Sequence, residues 1–426
     1  MMLGTPARVS RKLHPADSEN GLFCHGLVKE WRQMRRVVIT GMGIVCPLGH
    51  GLETVWRRLV VGRSGIRTVT NFNADLACRV AGQVRLIAWG VLPEPSRAER
   101  AARLAELAAD EAVQDAGWQP SCSQAQERAG VSIGSGCGGL EMLAEGAGRL
   151  GDAQDPFILR GMIHQLATSL ADRFALLGPR RVVSTACSSG AHAIGDAARL
   201  IAMGDAEVML AGGTEAAVNE LSMAGFAAAR AMSVGFNDTP HRASRPWDRD
   251  RDGFVMGEGA GMVVLESFDH ARGRGARIHA ELAGYGMSGD AWHITSPSES
   301  GDGAWRAMRN ALRGAGLAPD AVQYVNAHGE CGGIRPAFRQ QPRNVAAIQR
   351  PVRISAARYW IETNAWCPRL TAAMILSGSL VQRKGFGFSF TSTRKRLMAA
   401  CKAPREWNAP RFNRRLISLA ETPSAS

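Results

Sequence analysis

The segment Val183-Ser-Thr-Ala-Cys187-Ser-Ser-Gly190-Ala-His192 is the most informative stretch of this chain for both fold and chemistry. An apolar, β-branched run at residues 182–185 predicts a strand, and residues 188–203 predict a helix directly behind it. Cys187 then lies at a strand-to-helix turn, where exposed N–H groups and the helix dipole favour a thiolate and can hold an oxyanion. We predict an activated nucleophile, whose N–H groups could stabilise an oxyanion if the substrate is an acyl group; a small cysteine that packs the strand end is the alternative.

Similar units flank this segment on both sides. Each combines an apolar strand that ends in glycines with an Ala-rich helix, and this alternation predicts a layered α/β fold. We expect a strand at residues 35–40 closed by Gly41 and Gly43, a helix at 104–116, a strand at 129–133 before the glycines of 134–139, and a strand at 207–211 that enters Gly212 and Gly213.

A second chemical signal is Tyr324-Val-Asn-Ala-His328-Gly329, an apolar strand that ends in a histidine. Side chains at the carboxyl ends of strands in α/β sheets point into the crevice where ligands bind. His328 is therefore a candidate catalytic partner of Cys187, and a structural hydrogen-bonding role is the alternative. His192 lies on the helix that follows Cys187, and we expect it to be a packing residue.

Composition excludes several classes of protein. The 426 residues are 45% hydrophobic and 21% charged, which is typical of a globular enzyme. No run approaches the roughly 20 apolar residues of a membrane-spanning helix, so we expect no membrane association. The nine cysteines are scattered without a C-x-x-C spacing, which favours a reducing cytoplasm over a disulfide framework or a zinc site.

The two ends of the chain differ from its centre. Residues 1–33 contain no apolar core of a secretory signal, and we expect the working chain to begin at Met34, with a short disordered arm as the alternative. Residues 331–426 carry 17 lysines and arginines against 3 glutamates, with no aspartate or histidine, whereas residues 1–330 have a net charge of −1. The composition therefore changes near residue 330.

Six ordered segments between residues 34 and 329 resemble β-ketoacyl-[acyl-carrier-protein] synthases of the elongating type. They are Arg35-Arg-Val-Val-Ile-Thr-Gly-Met-Gly43, Ile133-Gly-Ser-Gly-Cys-Gly-Gly-Leu140, Thr185-Ala-Cys-Ser-Ser-Gly190, Ala211-Gly-Gly-Thr-Glu-Ala216, residues 244–261 and Tyr324-Val-Asn-Ala-His-Gly329. This resemblance implies the thiolase fold, in which two similar βα halves stack as a five-layer α/β/α/β/α sandwich, and it implies a homodimer.

The resemblance also implies roles for four residues. Cys187 corresponds to the nucleophile that takes the acyl chain as a thioester, and His328 to the first of two active-site histidines, which act on malonyl-carrier protein. Cys137 falls at the far end of the acyl pocket, and Phe226 falls among the residues that line the acyl site. Ordinary core packing is the alternative for Cys137 and Phe226.

The reaction that the resemblance implies is a decarboxylative Claisen condensation in fatty acid elongation. The expected partner is an acyl carrier protein with phosphopantetheine-linked acyl and malonyl groups. The chemistry needs no metal and no diffusible cofactor, and we expect no nucleic acid partner.

The family pattern stops after His328. The Thr-rich turn expected next is replaced by Glu330-Cys-Gly332, Arg339 stands where the family has a structural glutamate, and no second histidine follows. The segment Gly385-Phe-Gly-Phe-Ser389 lacks the flanks of the family's closing glycine turn. We interpret residues 330–426 as translated out of frame, which leaves the C-terminal half of the fold incomplete.

The sequence therefore divides into four parts. They are an N-terminal extension at 1–33, an N-terminal thiolase-like half at 34–275, the start of a C-terminal half at 276–329, and a basic segment at 330–426. Alternative functions are a thiolase or other acyltransferase of the same fold, a catalytically inactive homologue such as a chain-length-determining subunit, and a nucleic-acid-binding arm formed by the basic segment.

Overall fold

The computed structural model describes residues 34–70, 72, 76–86, 100–147, 159, 161–246, 248–292, 300–322, 324–325 and 353–354. The strands are β1 (Val37–Cys46), β2 (Gly49–His50), β3 (Arg67–Thr68), β4 (Val80–Ala81), β5 (Ala129–Gly134), β6 (Arg180–Val183), β7 (Val208–Ala216), β8 (Glu258–Ser267), β9 (Ala280–Glu281), β10 (Tyr324–Val325) and β11 (Arg353–Ile354). The helices are α1 (Leu52–Val60), α2 (Arg100–Ala116), α3 (Ser123–Glu127), α4 (Leu140–Ala147), α5 (Gln165–Phe174), α6 (Ser189–Met203), α7 (Glu220–Ala228), α8 (Phe268–Gly273) and α9 (Asp302–Ala315).

A mixed sheet in the order β2-β1-β8-β7-β5-β6 carries the fold, with β9 paired to β1. Strands β6 and β7 run parallel to β5, whereas β8 is antiparallel to both β1 and β7. Every residue of β1 and β8 is buried. Strands that are apolar along their whole length require cover on both faces of a sheet.

Helices supply that cover on each side. Leu210 and Val264 point to the face covered by α2 and α5, where they join a core with Leu104 and Leu170. Met209, the next residue of β7, points to the opposite face, where the core includes residues of α6. The two-residue period of a strand thus divides one apolar run between two cores, and the described part forms helix, sheet and helix layers.

Two of the predicted strands are longer than expected. Strand β1 continues through Gly41 and Gly43, and β7 continues through Gly212 and Gly213, although the sequence predicts that each strand ends at its glycines. In β1 the reason is close packing, because a Cβ on Gly41 would overlap the backbone carbonyl of Ala112 in α2. These glycines leave room for a helix to pack closely against the sheet, and the strand continues through them.

The same packing recurs later in the chain. Gly284 and Gly286, in the extended segment after β9, press against α9, where added Cβ atoms would overlap the carbonyl oxygens of Ala311 and Ala307. The arrangement is the same as in β1 and α2. In each case, two glycines separated by one residue face two alanines that lie four residues apart on a helix. The same glycine–alanine packing of an extended segment on a helix therefore occurs twice in the described residues.

Within the described residues, none of the helices combines the length and the apolar character needed to cross a membrane. The same residues contain no group of three or more histidine, cysteine and acidic side chains arranged to hold a metal ion.

Candidate active site

Cys187 lies at the turn that the sequence predicts, between the end of β6 and the start of α6. Its side chain is exposed, and its backbone forms an isolated bridge with Thr185. The residue between them, Ala186, has a φ of 52°, in the left-handed region that non-glycine residues adopt rarely and at a cost of about 1–3 kcal/mol. Such a conformation persists only where the surrounding contacts enforce it.

Hydrogen bonds from the first residues of α6 enforce this turn. The Thr185 N–H donates to Ser189 Oγ (2.8 Å), and the Ser189 hydroxyl donates to the Ala186 carbonyl (2.6 Å). The Ser188 hydroxyl donates to the Thr185 carbonyl at 2.7 Å. The two serines after the cysteine therefore fix the backbone on both sides of Ala186, and Cys187 is held at the positive end of the helix.

Glycines from two neighbouring strands allow α6 to approach the sheet closely. A Cβ on Gly134, at the end of β5, would overlap the backbone of Ser189. A Cβ on Gly213 in β7 would lie 3.1 Å from the Cα of Gly190. The glycine clusters found in the sequence thus allow the start of α6, directly after Cys187, to pack closely on β5 and β7.

Cys137 lies in the loop after β5, next to the Cys187 turn. A Cβ on its neighbour Gly136 would be 3.8 Å from Ala186 Cα, so the two loops are adjacent. Cys137 is half-buried and packs against an apolar cluster that includes Met223. Burial, with a smaller contribution from Glu215, raises the pKa of the Cys137 thiol to about 11. The Cys137 thiol is therefore neutral at physiological pH and a poor nucleophile.

Glu215 is a site residue that the sequence analysis does not single out. Only 4% of it is exposed, and its carboxylate accepts the N–H groups of Gly136 (2.8 Å) and Cys137 (3.0 Å). Burial raises the pKa of this carboxyl group, and the same hydrogen bonds oppose the rise. The sequence does contain a sign of this role, because Glu215 is an acidic residue near the end of the apolar strand β7. A buried carboxylate requires hydrogen-bond partners.

Phe226 lies on α7 with 40% of its surface exposed, and its ring meets Phe254 edge to face with centroids 5.3 Å apart. Phe254 packs against the same apolar cluster as Cys137. Asn219 caps the N-terminus of α7, and its side chain accepts the Ser222 N–H at 2.8 Å. Phe226 is therefore connected to the cluster beside Cys137 through Phe254.

His328 lies outside the described residues. The strand that leads to it is described over Tyr324–Val325, where it pairs in parallel with Arg353–Ile354. The rest of residues 330–426, including Arg339 and the segment at 385–389, also lies outside the described residues.

His192 packs within the fold, as the sequence predicts, and its ring is also hydrogen-bonded. Its ring stands edge-on to Tyr285, with centroids 6.1 Å apart, and its Nδ1 lies 2.9 Å from the hydroxyl oxygen of Thr185. The sequence pattern could not show this contact, because it depends on the turn that brings residue 185 back beside α6.

Comparison with known proteins places these features in one family. The model of the beta-ketoacyl synthase N-terminal domain matches residues 34–271, more than half of the chain, and that of the C-terminal domain matches residues 279–334. The 3-oxoacyl-[acyl-carrier-protein] synthase 2 of Rhizobium meliloti (strain 1021) is 50% identical over 341 residues, which cover 76% of this chain and 80% of that protein. The mitochondrial 3-oxoacyl-[acyl-carrier-protein] synthase of Arabidopsis thaliana is 45% identical over 320 residues, 69% of each chain.

Solved structures agree with the sequence relatives. A type II polyketide ketosynthase, in complex with its acyl-carrier protein and bound to the hexaketide, aligns with a TM-score of 0.69 and 27% identity over 82% of this chain and 87% of that one. A beta-ketoacyl synthase from Burkholderia phymatum STM815 aligns with a TM-score of 0.60 and 36% identity over 70% and 74%. The fold is thus the thiolase-like fold of ketosynthases, and the chain belongs to the beta-ketoacyl synthase family.

Proposed function

We propose that this protein is a β-ketoacyl-[acyl-carrier-protein] synthase of fatty acid elongation and that Cys187 is its acyl-accepting nucleophile. The observation that carries the proposal is the strained, hydrogen-bonded turn that presents an exposed cysteine at the start of α6. Curated relatives with 45–50% identity have the name 3-oxoacyl-[acyl-carrier-protein] synthase, which supports the same assignment.

The first half-reaction transfers an acyl chain to Cys187. The Sγ thiolate attacks the thioester carbonyl carbon of the acyl-carrier protein, and backbone N–H groups at the turn stabilise the oxyanion that forms. The tetrahedral intermediate collapses as the bond to the pantetheine sulfur breaks, and that sulfur leaves as a thiolate and takes up a proton. The acyl chain then extends toward Cys137 and Phe226, which we assign to the acyl site.

The second half-reaction forms the carbon–carbon bond. Malonyl-carrier protein loses carbon dioxide, and the resulting enolate carbon attacks the Cys187 thioester carbonyl. The bond to Sγ breaks, which regenerates the Cys187 thiolate and releases the β-ketoacyl-carrier protein. In this scheme a neutral His328 donates a hydrogen bond to the oxygen on which negative charge develops.

In this particular chain we propose that the two half-reactions separate. The proposed halves at 34–275 and 276–329 contain the Cys187 turn and the strand that leads to His328, but no histidine follows His328. The match to the C-terminal family domain ends at residue 334, close to the change in composition, which supports the out-of-frame origin of residues 330–426. We therefore expect acylation without condensation.

The proposed partner is an acyl carrier protein, and the proposed assembly is a cytoplasmic homodimer. A related ketosynthase was solved in complex with its acyl-carrier protein, which supports this partner. Among the described strands of the main sheet, β6 is the last, and its Arg180 and Arg181 are exposed. A strand at the edge of a sheet can pair with another copy of the chain, which supports the homodimer.

Acylation can be tested by the mass of the intact protein after incubation with an acyl-carrier protein. The parent chain should gain the mass of one acyl group, and Cys187→Ala should gain none. The matched control is Cys122→Ala, because Cys122 is an exposed cysteine at the N-terminus of α3. Acylation of Cys187→Ala at the parent rate would remove Cys187 from the mechanism.

Condensation can be tested by adding malonyl-carrier protein to the acylated chain. We expect no β-ketoacyl product, because the family reaction also uses a second histidine. Product at a rate comparable to that of an intact synthase would contradict this expectation. Sequencing the gene across codon 330 tests the cause directly, since an uninterrupted frame into the same residues would exclude the frameshift.

A further inference from the structure

His192 is a half-buried histidine on α6 that the proposed mechanism does not use. Its Nδ1 lies 2.9 Å from Thr185 Oγ1, and Thr185 is the residue whose backbone bridges to Cys187. This contact links Thr185, just before the strained Ala186, to the second turn of α6. The hydrogen bonds of Ser188 and Ser189 link the same turn to the first residues of α6.

The donors and acceptors around Thr185 give this contact a direction. The Ser188 hydroxyl donates to two acceptors of Thr185, the carbonyl oxygen at 2.7 Å and Oγ1 at 3.1 Å. Because Thr185 Oγ1 accepts from Ser188, the Thr185 proton is available to His192 Nδ1 in the tautomer that carries the ring proton on Nε2. Burial lowers the pKa of His192, so the ring is neutral at physiological pH and able to accept.

Packing from the second half of the chain fixes the ring of His192. Tyr285 stands edge-on to it, with centroids 6.1 Å apart, and lies so close to Gly195 that a Cβ there would overlap the tyrosine ring. The guanidinium of Arg199 covers the other part of Tyr285 at 4.6 Å from the ring centroid. Tyr285 therefore limits the movement of His192 away from Thr185.

We propose that His192 is a positioning residue for Cys187: by accepting the Thr185 hydroxyl it holds the left-handed turn that aims the thiol from the start of α6. This inference rests on the proposed role of Cys187 as the acyl acceptor. It assigns His192 no contact with the substrate. It predicts that the reactivity of Cys187 depends on an acceptor at the Nδ1 position rather than on a histidine as such.

The test measures alkylation of Cys187 by iodoacetamide in the soluble full-length chain at neutral pH, followed by peptide mass spectrometry. His192→Leu and Thr185→Val each remove one partner, and we expect each to slow alkylation about tenfold, the loss that corresponds to one hydrogen bond of about 1.4 kcal/mol. His192→Asn places an amide oxygen near the Nδ1 position and should restore the rate to about half of the parent value or more.

Two internal controls accompany the measurement. Cys122, an exposed cysteine at the N-terminus of α3, should react at the same rate in every variant, and the buried Cys46 should stay unreactive in each folded one. His241→Leu is the matched substitution, because His241 lies in the short turn at Pro240–Arg242 with an exposed side chain. Its Cys187 rate should equal that of the parent.

Parent-like alkylation in folded His192→Leu would overturn the proposal. If Cys46 reacts in that variant, the variant is unfolded, and Thr185→Val decides instead. This substitution replaces the hydroxyl with a methyl group at nearly constant volume. A parent-like alkylation rate of Cys187 in Thr185→Val also overturns the proposal. Failure of the proposed function has a different signature: the parent would show no acylation by acyl-carrier protein while Cys187 alkylation still responded to His192.

Discussion

The position of Cys187 depends on residues that have no side chain to contribute. Gly134 lies under Ser189 so closely that an added Cβ would overlap the helix backbone, and Gly213 lies under Gly190. Because the overlap is with backbone rather than with a flexible side chain, a larger residue at 134 must move the start of α6. At this scale the position of Cys187 depends on two glycines that leave room for the start of α6.

Gly134→Ala should therefore reduce both stability and acyl transfer. Forcing a methyl group into a packed interior costs about 1–3 kcal/mol, and the displaced turn should slow acylation of Cys187 more than the loss of folded protein explains. Urea unfolding and intact-protein mass measure the two effects. Gly273→Ala is the control, because a Cβ at the end of α8 meets nothing within 4 Å; equal behaviour of the two variants would contradict the packing argument.

Part of the site could be predicted from sequence at this scale. A cysteine between an apolar strand and an Ala-rich helix predicts its own turn, and the structure confirms that placement of Cys187. Glu215 and His192 could not be assigned in this way, because their partners, Gly136 and Thr185, depend on how separate loops meet. The roles of Cys137, Phe226 and His328 remain predictions.

At the scale of elements, Glu266 joins two strands and two helices. It is fully buried in β8, where it accepts hydrogen bonds from Thr40 of β1, from His270 Nδ1 (2.7 Å) and from Arg274 Nε (2.9 Å). Arg274 also donates to the carbonyl of Ala116 at 2.9 Å, the last residue of α2. The carboxylate thus ties β1, β8, α8 and, through Arg274, α2.

Glu266→Gln should lower the free energy of unfolding strongly. Removing one member of a buried ion pair leaves the other charge uncompensated, which costs about 3–5 kcal/mol. Urea denaturation gives the measurement. Asp250→Asn is the control, because Asp250 pairs with Arg249 on the surface, where ion pairs contribute little. A similar midpoint in both variants would show that the network does not stabilise the fold.

Glu266 also predicts an acid-sensitive step in stability. Burial pushes its pKa up, but the hydrogen bonds from Arg274, His270 and Thr40 outweigh burial and hold it at about 2. A depressed pKa stabilises the fold at pH values above the unfolded-state pKa of about 4.3, and this contribution is lost as the pH falls toward the folded-state value. The parent should lose stability across this interval, and Glu266→Gln should lose less.

The elements were more predictable than their ends. Apolar runs and Ala-rich stretches predict β5 and α6 closely, because local composition and period determine them. The predicted C-terminal ends of β1 and β7 were wrong. A glycine after an apolar run predicts a turn unless it is known that a helix packs against that glycine. The extra length of β1 follows from α2, more than 50 residues away in sequence.

At the scale of the whole molecule, helix α7 has no polar face. Its sequence is Glu-Leu-Ser-Met-Ala-Gly-Phe-Ala-Ala, yet Leu221 and Phe226 are exposed while Ser222 is buried. A helix that is apolar on all sides belongs in an interior. In the proposed out-of-frame chain, the second half of the fold ends early, so such surfaces stay uncovered.

We therefore expect the chain to be poorly soluble, with α7 as one source of self-association. Exposed apolar surface favours aggregation, and Leu221 and Phe226 supply such surface on α7. Leu221→Gln removes apolar surface from an exposed position, so it should increase the fraction that stays in the supernatant after centrifugation. Val61→Gln is the matched control, because Val61 is an exposed apolar residue at the end of the amphipathic helix α1, away from α7 in sequence. An equal gain in both variants would show that total hydrophobicity, rather than α7, limits solubility. A fully soluble parent would contradict the proposal that the second half of the fold is incomplete.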